Sequence, residues 1–187
     1  MKDIGKAKIW ELHDEGNWIV IPINGYVRRD GLLTMGAGLA RALVDRYPEL
    51  NIAEELGLGI GSQGLQVFVN PSLRVFAFPT KYHWQDDADI SLIKESAQQM
   101  AIIATHLEVE TVALPQVGCG NGKLKWEEVR KVLEPILDDR FYAFERTYTP
   151  SNKNWASGVN QKSKSKKKVA KPTTTISAKD FEELAGP

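Results

Sequence analysis

Three glycines at alternate positions follow an apolar run in ALPQVGCGNGKLKW, Ala113 to Trp126, with a cysteine between the first two. Glycine lets the backbone approach a bound group closely, and the amides of such a loop can hold an anion. The same stretch also offers a thiol, at Cys119. We therefore consider three interpretations: an ordinary turn, a nucleophile site and a backbone cradle for phosphate.

A nucleophilic cysteine needs a nearby base such as histidine, and His13, His83 and His106 are all distant from Cys119 in the sequence. We therefore interpret Cys119 as a small, half-buried spacer between glycines. A single cysteine cannot form an internal disulfide, and the three scattered histidines lack zinc-ligand spacing. The sequence predicts a reducing compartment, no metal and no cofactor.

A second glycine loop, Met35-Gly-Ala-Gly-Leu-Ala40, follows an apolar run and opens a helical pattern. Helix N-termini with exposed amides bind anions, although small residues here could also serve packing alone. Both glycine loops leave the carboxyl ends of predicted strands, which is where open α/β sheets bind ligands. Two such loops facing each other could hold a diphosphate.

A third stretch, Gly59-Ile-Gly-Ser-Gln-Gly64, matches GxGxxG. It follows a predicted helix and precedes a predicted strand, whereas a dinucleotide-binding fingerprint requires the reverse order. The sequence therefore argues against a dinucleotide site here.

Strands and helices alternate up to residue 150. Hydrophobic periodicity predicts strands at 17–23, 65–70, 74–78, 111–117 and 141–144, and helices at 35–47, 49–56, 91–104 and, with a kink at Pro135, 127–137. Helices that separate apolar strands indicate an α/β fold, specifically a three-layer α/β/α sandwich with a mixed sheet.

Charge divides the chain into two parts. Residues 1–150 hold 16 Lys and Arg against 21 Asp and Glu, whereas residues 151–187 hold 8 against 3. The sequence predicts a domain over 1–149 and a basic, disordered tail over 150–187, with a short helix capped by Ser177. The absence of a long apolar run or signal-peptide pattern predicts a cytoplasmic protein without a membrane partner.

Four motifs in order, IVIPIN (19–24), MGAGLA (35–40), FPTKYHW (78–84) and LPQVGCGNGKLKW (114–126), resemble those of the macro domain family. The resemblance covers about residues 8–145 and is strongest to its DarG-type DNA ADP-ribosylglycohydrolases. It implies the same α/β/α sandwich and implies ADP-ribose, or an ADP-ribosylated substrate, as the binding partner.

The resemblance also implies site residues. Lys81, the lysine of FPTK, corresponds to the residue required for removing ADP-ribose from thymidine in DNA, and His83 and Trp84 continue its loop. Lys81 could protonate or orient the leaving base, or attack the opened ribose as an amine, which would need a depressed pKa. The residues assigned to ligand binding are Asn24, Met35, Gly36, Ala37, Gly38, Thr80, Gly118, Cys119, Gly120, Asn121 and Gly122.

The sequence departs from family patterns at two positions. Many macro domains have Gly-Asp on the first strand, where the acid contacts adenine, but this chain has Ala7-Lys8. The branch that cleaves ADP-ribosyl-glutamate pairs its lysine with an aspartate where Gly122 stands. Two alternatives to the glycohydrolase therefore stay open: an ADP-ribose 1″-phosphate phosphatase and a non-catalytic reader of ADP-ribose.

The tail lies outside the resemblance, and full-length DarG proteins are longer. Seven lysines fall between Lys153 and Lys171 with no acidic residue among them. Such a segment is either a solubilising linker or a tether for single-stranded DNA whose binding weakens steeply with salt.

Overall fold

The computed structural model describes residues 1–147 and 176–177. None of the helices within these ranges is long and apolar enough to cross a lipid bilayer. In chain order the elements are β1 (Lys2–Ala7), α1 (Ile9–Asp14), β2 (Trp18–Asn24), α2 (Gly38–Arg46), α3 (Ile52–Gln63), β3 (Phe68–Asn70), β4 (Val75–Lys81), α4 (Ile90–His106), β5 (Val112–Pro115), α5 (Trp126–Leu133), β6 (Phe141–Arg146) and β7 (Ile176–Ser177).

The strands of the described residues form one mixed sheet in the order β1-β6-β5-β2-β4-β3-β7. β1, β6, β5, β2 and β4 run parallel, while β3 is antiparallel to β4 and β7 is antiparallel to β3. One hydrophobic core lies between the sheet and α4 with α5, and the other lies between the sheet and α1, α2 and α3. The α/β/α sandwich with a mixed sheet is confirmed.

The central strand β2 explains why the sheet is covered on both sides. Val20 packs into the core under α4, whereas its neighbour Ile21 packs into the opposite core, and neither is exposed. A strand buried on both faces is apolar at consecutive positions, as β2 is. Because β2 and β4 are parallel, they end together, and Asn24 pairs with Lys81 at the carboxyl edge of the sheet.

Two N-terminal elements, β1 and α1, were not predicted from the sequence. Nearly all of β1 is exposed, so it lacks the buried alternating pattern that reveals a strand. Its place is decided by pairing with β6, a partner at the far end of the domain.

At the opposite edge of the sheet, Ile176 pairs with Val69 and Ser177 pairs with Phe68. This short strand lies within the segment 150–187 that the sequence assigns to the tail. The helix predicted after Ser177 and the lysine-rich run lie outside the described residues.

The helix predicted to end at Gly57 instead continues to Gln63, so the GxGxxG stretch is mostly helical. The reason is close packing. A Cβ on Gly57 would lie 2.0 Å from the carbonyl oxygen of Gly31, and one on Gly59 would lie 2.6 Å from the ring of Phe68. Glycine is placed here so that the helix can approach its neighbours, and it does not end the helix.

Two other helix boundaries differ from prediction. The helix expected over 35–47 begins only at Gly38, which leaves Met35–Ala37 as a loop. The helix expected to kink at Pro135 ends at Leu133, because proline has no N–H to continue the ladder and disfavours helical geometry before it.

We expect Gly57→Ala to lower the free energy of unfolding by about 2–3 kcal/mol, because the added methyl group meets a backbone oxygen that cannot move aside. Gly61→Ala in the same helix is the matched control. Its Cβ meets nothing within 4 Å, and removing a helical glycine should stabilise the fold by about 0.5–1 kcal/mol. Urea denaturation measures both; equal effects would contradict the packing argument.

Candidate functional site

The candidate site lies where β2, β4 and the loop after β5 meet at the carboxyl edge of the sheet. The amide of Gly25 donates to the carbonyl oxygens of Lys81 at 3.0 Å and Tyr82 at 3.1 Å. The chain leaving β2 is therefore held against the chain leaving β4. Side chains from distant parts of the sequence converge at this point.

Lys81 ends β4 and is buried, with 7% of its surface exposed. Its Nζ donates to the carbonyl oxygen of Asp86, five residues on, and to that of Asn121 at 3.0 Å. Within the described ranges it makes no ion pair with a carboxylate. An ammonium has three N–H donors, so Lys81 joins two loops and keeps one donor.

The side chain of Asn24 is engaged in holding the first glycine loop. Its Nδ2 donates to the carbonyl oxygen of Thr34 at 2.7 Å, and its Oδ1 accepts from the amide of Tyr26 at 2.9 Å. These bonds fix the chain just before Met35. Asn24 thus positions the loop, and the ribose contact assigned to it stays a prediction.

The first glycine loop presents uncapped amides. Met35 is buried and anchors it, whereas Gly36, Ala37 and Gly38 are exposed. Gly38 has φ +61° and opens α2, and Ala37 at the N-cap provides no side-chain hydrogen bond. The first amides of α2 therefore keep their donors for another acceptor, as an anion site requires.

The second glycine loop is folded tightly against the segment that precedes α4. The carbonyl oxygen of Gly118 accepts from Leu124 at 3.1 Å, and that of Gly122 accepts from Ala88 at 2.9 Å. Gly118 has φ +76°, which favours glycine. Gly120 and Asn121 lie exposed at the tip.

Gly122 has no room for a side chain. A Cβ there would lie 2.4 Å from the carbonyl oxygen of Gly118 and 2.6 Å from the Cβ of Ala88. With this backbone, the loop cannot carry the aspartate that the glutamate-cleaving branch places at this position. The departure seen in the sequence therefore has a steric basis.

Cys119 is half-buried, and its Sγ lies 3.4 Å from the carbonyl oxygen of Val117. Burial, with a smaller contribution from the charge of Glu127, raises the pKa of the thiol to about 11. A neutral thiol is a poor nucleophile. The surroundings of Cys119 support the interpretation as a spacer.

Thr80 faces the sheet. It is 5% exposed, and its hydroxyl donates to the carbonyl oxygen of Ile23 at 3.2 Å. This bond ties β4 to β2 just before the site. The structure brings the other assigned residues to the rim of the cleft, but the Thr80 hydroxyl is used inside the fold.

Two features of the site were missed in the sequence. Asp89 caps α4, since its Oδ1 accepts from the amides of Ser91 at 2.7 Å and Leu92 at 3.0 Å; an aspartate before an apolar helical pattern was the available signal. Tyr26 packs its ring edge against His83, with centroids 4.4 Å apart. No local pattern links these two rings, because only strand pairing brings them together.

The cleft offers a buried ammonium and backbone amides, groups that favour an anionic ligand. Among the described residues, no cluster of three His, Cys, Asp or Glu side chains is placed to hold a metal ion. The asymmetry matters for the chemistry, because the charge at the centre of the cleft comes from Lys81.

The raised pKa of Cys119 predicts slow alkylation. At pH 8.5 the native protein should react with iodoacetamide about 100-fold more slowly than the urea-unfolded chain, because its ordinary pKa of 9.0 is raised to about 11. The chain has one cysteine, so mass spectrometry reports this site alone. Equal native and unfolded rates would show an ionised thiol.

The packing around Gly122 predicts that Gly122→Ala lowers the free energy of unfolding by about 2 kcal/mol. Gly120→Ala is the matched control in the same loop, since its Cβ would meet nothing within 4 Å, and should change stability by less than about 0.5 kcal/mol. Urea denaturation of both variants distinguishes the two positions. A stable Gly122→Ala protein would mean that the loop relaxes easily.

Known proteins resemble this chain in sequence and in fold. A DNA ADP-ribosyl glycohydrolase of Thermus aquaticus is 31% identical over 135 residues, which cover 66% of this chain and 36% of that protein. The macrodomain of Mycobacterium tuberculosis DarG has a TM-score of 0.56 at 24% identity and matches 69% of this chain and 88% of that one. Thermosipho africanus DarTG in complex with ADP-ribose has a TM-score of 0.56 at 18% identity, over 69% and 37% of the two chains.

The chain spans about a third of the length of the curated relatives it matches. The structural similarities, at these identities, concern the fold. The macro domain family profile matches residues 30–133, which include both glycine loops and Lys81 and make up more than half of the chain. This protein therefore belongs to the macro domain family.

Proposed function

We propose that this chain binds ADP-ribose and hydrolyses an ADP-ribosyl bond on thymidine in single-stranded DNA. The observation that carries the proposal is the buried ammonium of Lys81, held between the turn after β4 and the second glycine loop with one donor uncommitted. Relatives at 31% identity named DNA ADP-ribosyl glycohydrolase support the same activity.

Binding rests on the two glycine loops. The uncapped amides at the start of α2 and the exposed tip at Gly120 and Asn121 are suited to the diphosphate. Asn24 fixes the approach to the first loop, and Lys81 fixes the second through Asn121. The proposed ligand therefore lies across both loops, with its distal ribose near Lys81.

The geometry of Lys81 supports the role of a donor. An ammonium that donates to two carbonyl oxygens has no lone pair to offer, whereas attack on an opened ribose requires a neutral amine. In the proposed reaction, water adds its hydroxyl to the anomeric carbon and the bond to the thymine nitrogen breaks. The leaving base takes up a proton, and the third N–H of Lys81 orients and stabilises it.

Lys81→Met tests this role while keeping the apolar stem. We expect its turnover of ADP-ribosyl-thymidine in a single-stranded oligonucleotide to fall at least about 100-fold, the range for a lost general acid. Lys94→Met, on the exposed face of α4, is the control and should retain the wild-type rate. Release of ADP-ribose is followed by chromatography, with melting curves for both variants.

If Lys81→Met is folded and as fast as the wild type, the assignment of Lys81 is wrong. A wild-type protein that binds ADP-ribose in calorimetry but turns over no conjugate would favour the non-catalytic reader. The engagement of Lys81 by two carbonyl oxygens is the observation that keeps this second candidate in view.

A substrate panel separates the enzymatic alternatives. Because Gly122 leaves no space for a carboxylate, we expect ADP-ribosyl-glutamate to be the poorest substrate beside ADP-ribosyl-thymidine. Phosphate release from ADP-ribose 1″-phosphate would identify the phosphatase. Preferred cleavage of the glutamate conjugate would contradict the steric argument.

The lysine-rich segment is proposed to increase affinity for DNA. Ile176 and Ser177 pair with β3, so truncating the tail would also remove a strand. Replacing the seven lysines between Lys153 and Lys171 by glutamine is therefore the cleaner test. We expect weaker binding of single-stranded DNA at low salt and a shallower salt dependence, with ADP-ribose affinity unchanged. Unchanged DNA binding at low salt would refute the tether.

A further inference from the structure

A row of aromatic side chains borders the cleft on the side of the turn after β4. We call Tyr26, His83 and Trp84 the aromatic strip. The centroids of Tyr26 and His83 are 4.4 Å apart, edge to face, and those of His83 and Trp84 are 5.6 Å apart, tilted by 32°. Tyr26 is 40% exposed and Trp84 is 49% exposed, so the strip is partly open to solvent.

The strip is tied to Lys81 by the backbone. The contact from Lys81 to the carbonyl oxygen of Asp86 closes the turn that carries His83 and Trp84. Gly25, next to Tyr26, donates to the carbonyl oxygens of Lys81 and Tyr82. The rings are therefore attached to the same few residues that fix the ammonium, and a group bound on them adjoins the reacting end of the proposed ligand.

The charges around the strip favour contact through rings. Tyr26 and Trp84 are uncharged, and Asp87 is paired with Lys123 at 2.6 Å, while Asp86 is exposed. Arg29, three residues after Tyr26, is exposed and makes no ion pair within the described ranges. Exposed aromatic rings next to a cation are the combination by which proteins hold unpaired nucleobases, since every base has a face to stack.

We infer that the aromatic strip is the platform on which an unpaired base of the substrate strand, adjoining the ADP-ribosylated nucleotide, stacks. The inference rests on the proposed function and adds a residue set that selects single-stranded DNA. A modified protein would offer the strip no succession of flat rings. Because the contact is made by uncharged rings, its contribution should persist at high salt, unlike that of phosphate contacts.

The test measures KM and kcat of the full chain for a single-stranded oligonucleotide carrying one ADP-ribosylated thymidine. Trp84→Ala should raise KM about tenfold at both low and high salt, and Trp84→Phe should restore most of the affinity. The affinity for free ADP-ribose should be unchanged, a readout that separates loss of stacking from damage to the cleft. Leu58→Ala is the control, because Leu58 is 65% exposed on α3, outside the cleft.

Failure of the strip and failure of the proposed function give different results. An unchanged KM in Trp84→Ala, with wild-type turnover intact, overturns the strip alone, as does a rise in KM confined to an ADP-ribosylated peptide. If the wild type turns over no modified DNA, the proposed function fails. Anisotropy with unmodified oligodeoxythymidine then decides the strip: weaker binding by Trp84→Ala supports it, and equal binding overturns it.

Discussion

The site depends on one buried ammonium. Lys81 lies at the end of β4, where burial would be costly without partners, and two backbone carbonyl oxygens from different loops accept its hydrogen bonds. One contact closes the turn that carries the exposed aromatic rings, and the other holds the second glycine loop. The two sides of the cleft are therefore fixed by the group to which we assign the chemistry, so binding geometry and catalysis are coupled there.

Glycine determines how closely the remaining parts approach that ammonium. At Gly122, the space for a Cβ is taken by the carbonyl oxygen of Gly118 and by Ala88. The loop can therefore fold against the segment before α4, and it cannot also hold a carboxylate. Packing and substrate choice are linked here, because the same absence of space that shapes the loop removes the partner used by the glutamate-cleaving branch.

The surfaces around the cleft divide recognition by chemistry. Amides at the start of α2 and in the second glycine loop suit phosphate oxygens, whereas Tyr26 and Trp84 present uncharged rings. The basic segment after the domain supplies charge that acts at a distance and is screened by salt. A substrate that combines a diphosphate, an unpaired base and a phosphate backbone would engage all three.

Local patterns in the sequence determined the sandwich, the central apolar strand and the two glycine loops, because burial on both faces and glycine spacing leave a signal within a few residues. They failed at β1, whose exposed residues show no pattern, and at Gly57, where glycine marks close packing and not a helix end. The partners of Lys81 and the meeting of Tyr26 with His83 were decided only by tertiary structure. Parallel strand pairing brings distant residues to one edge of the sheet, and no local pattern encodes that proximity.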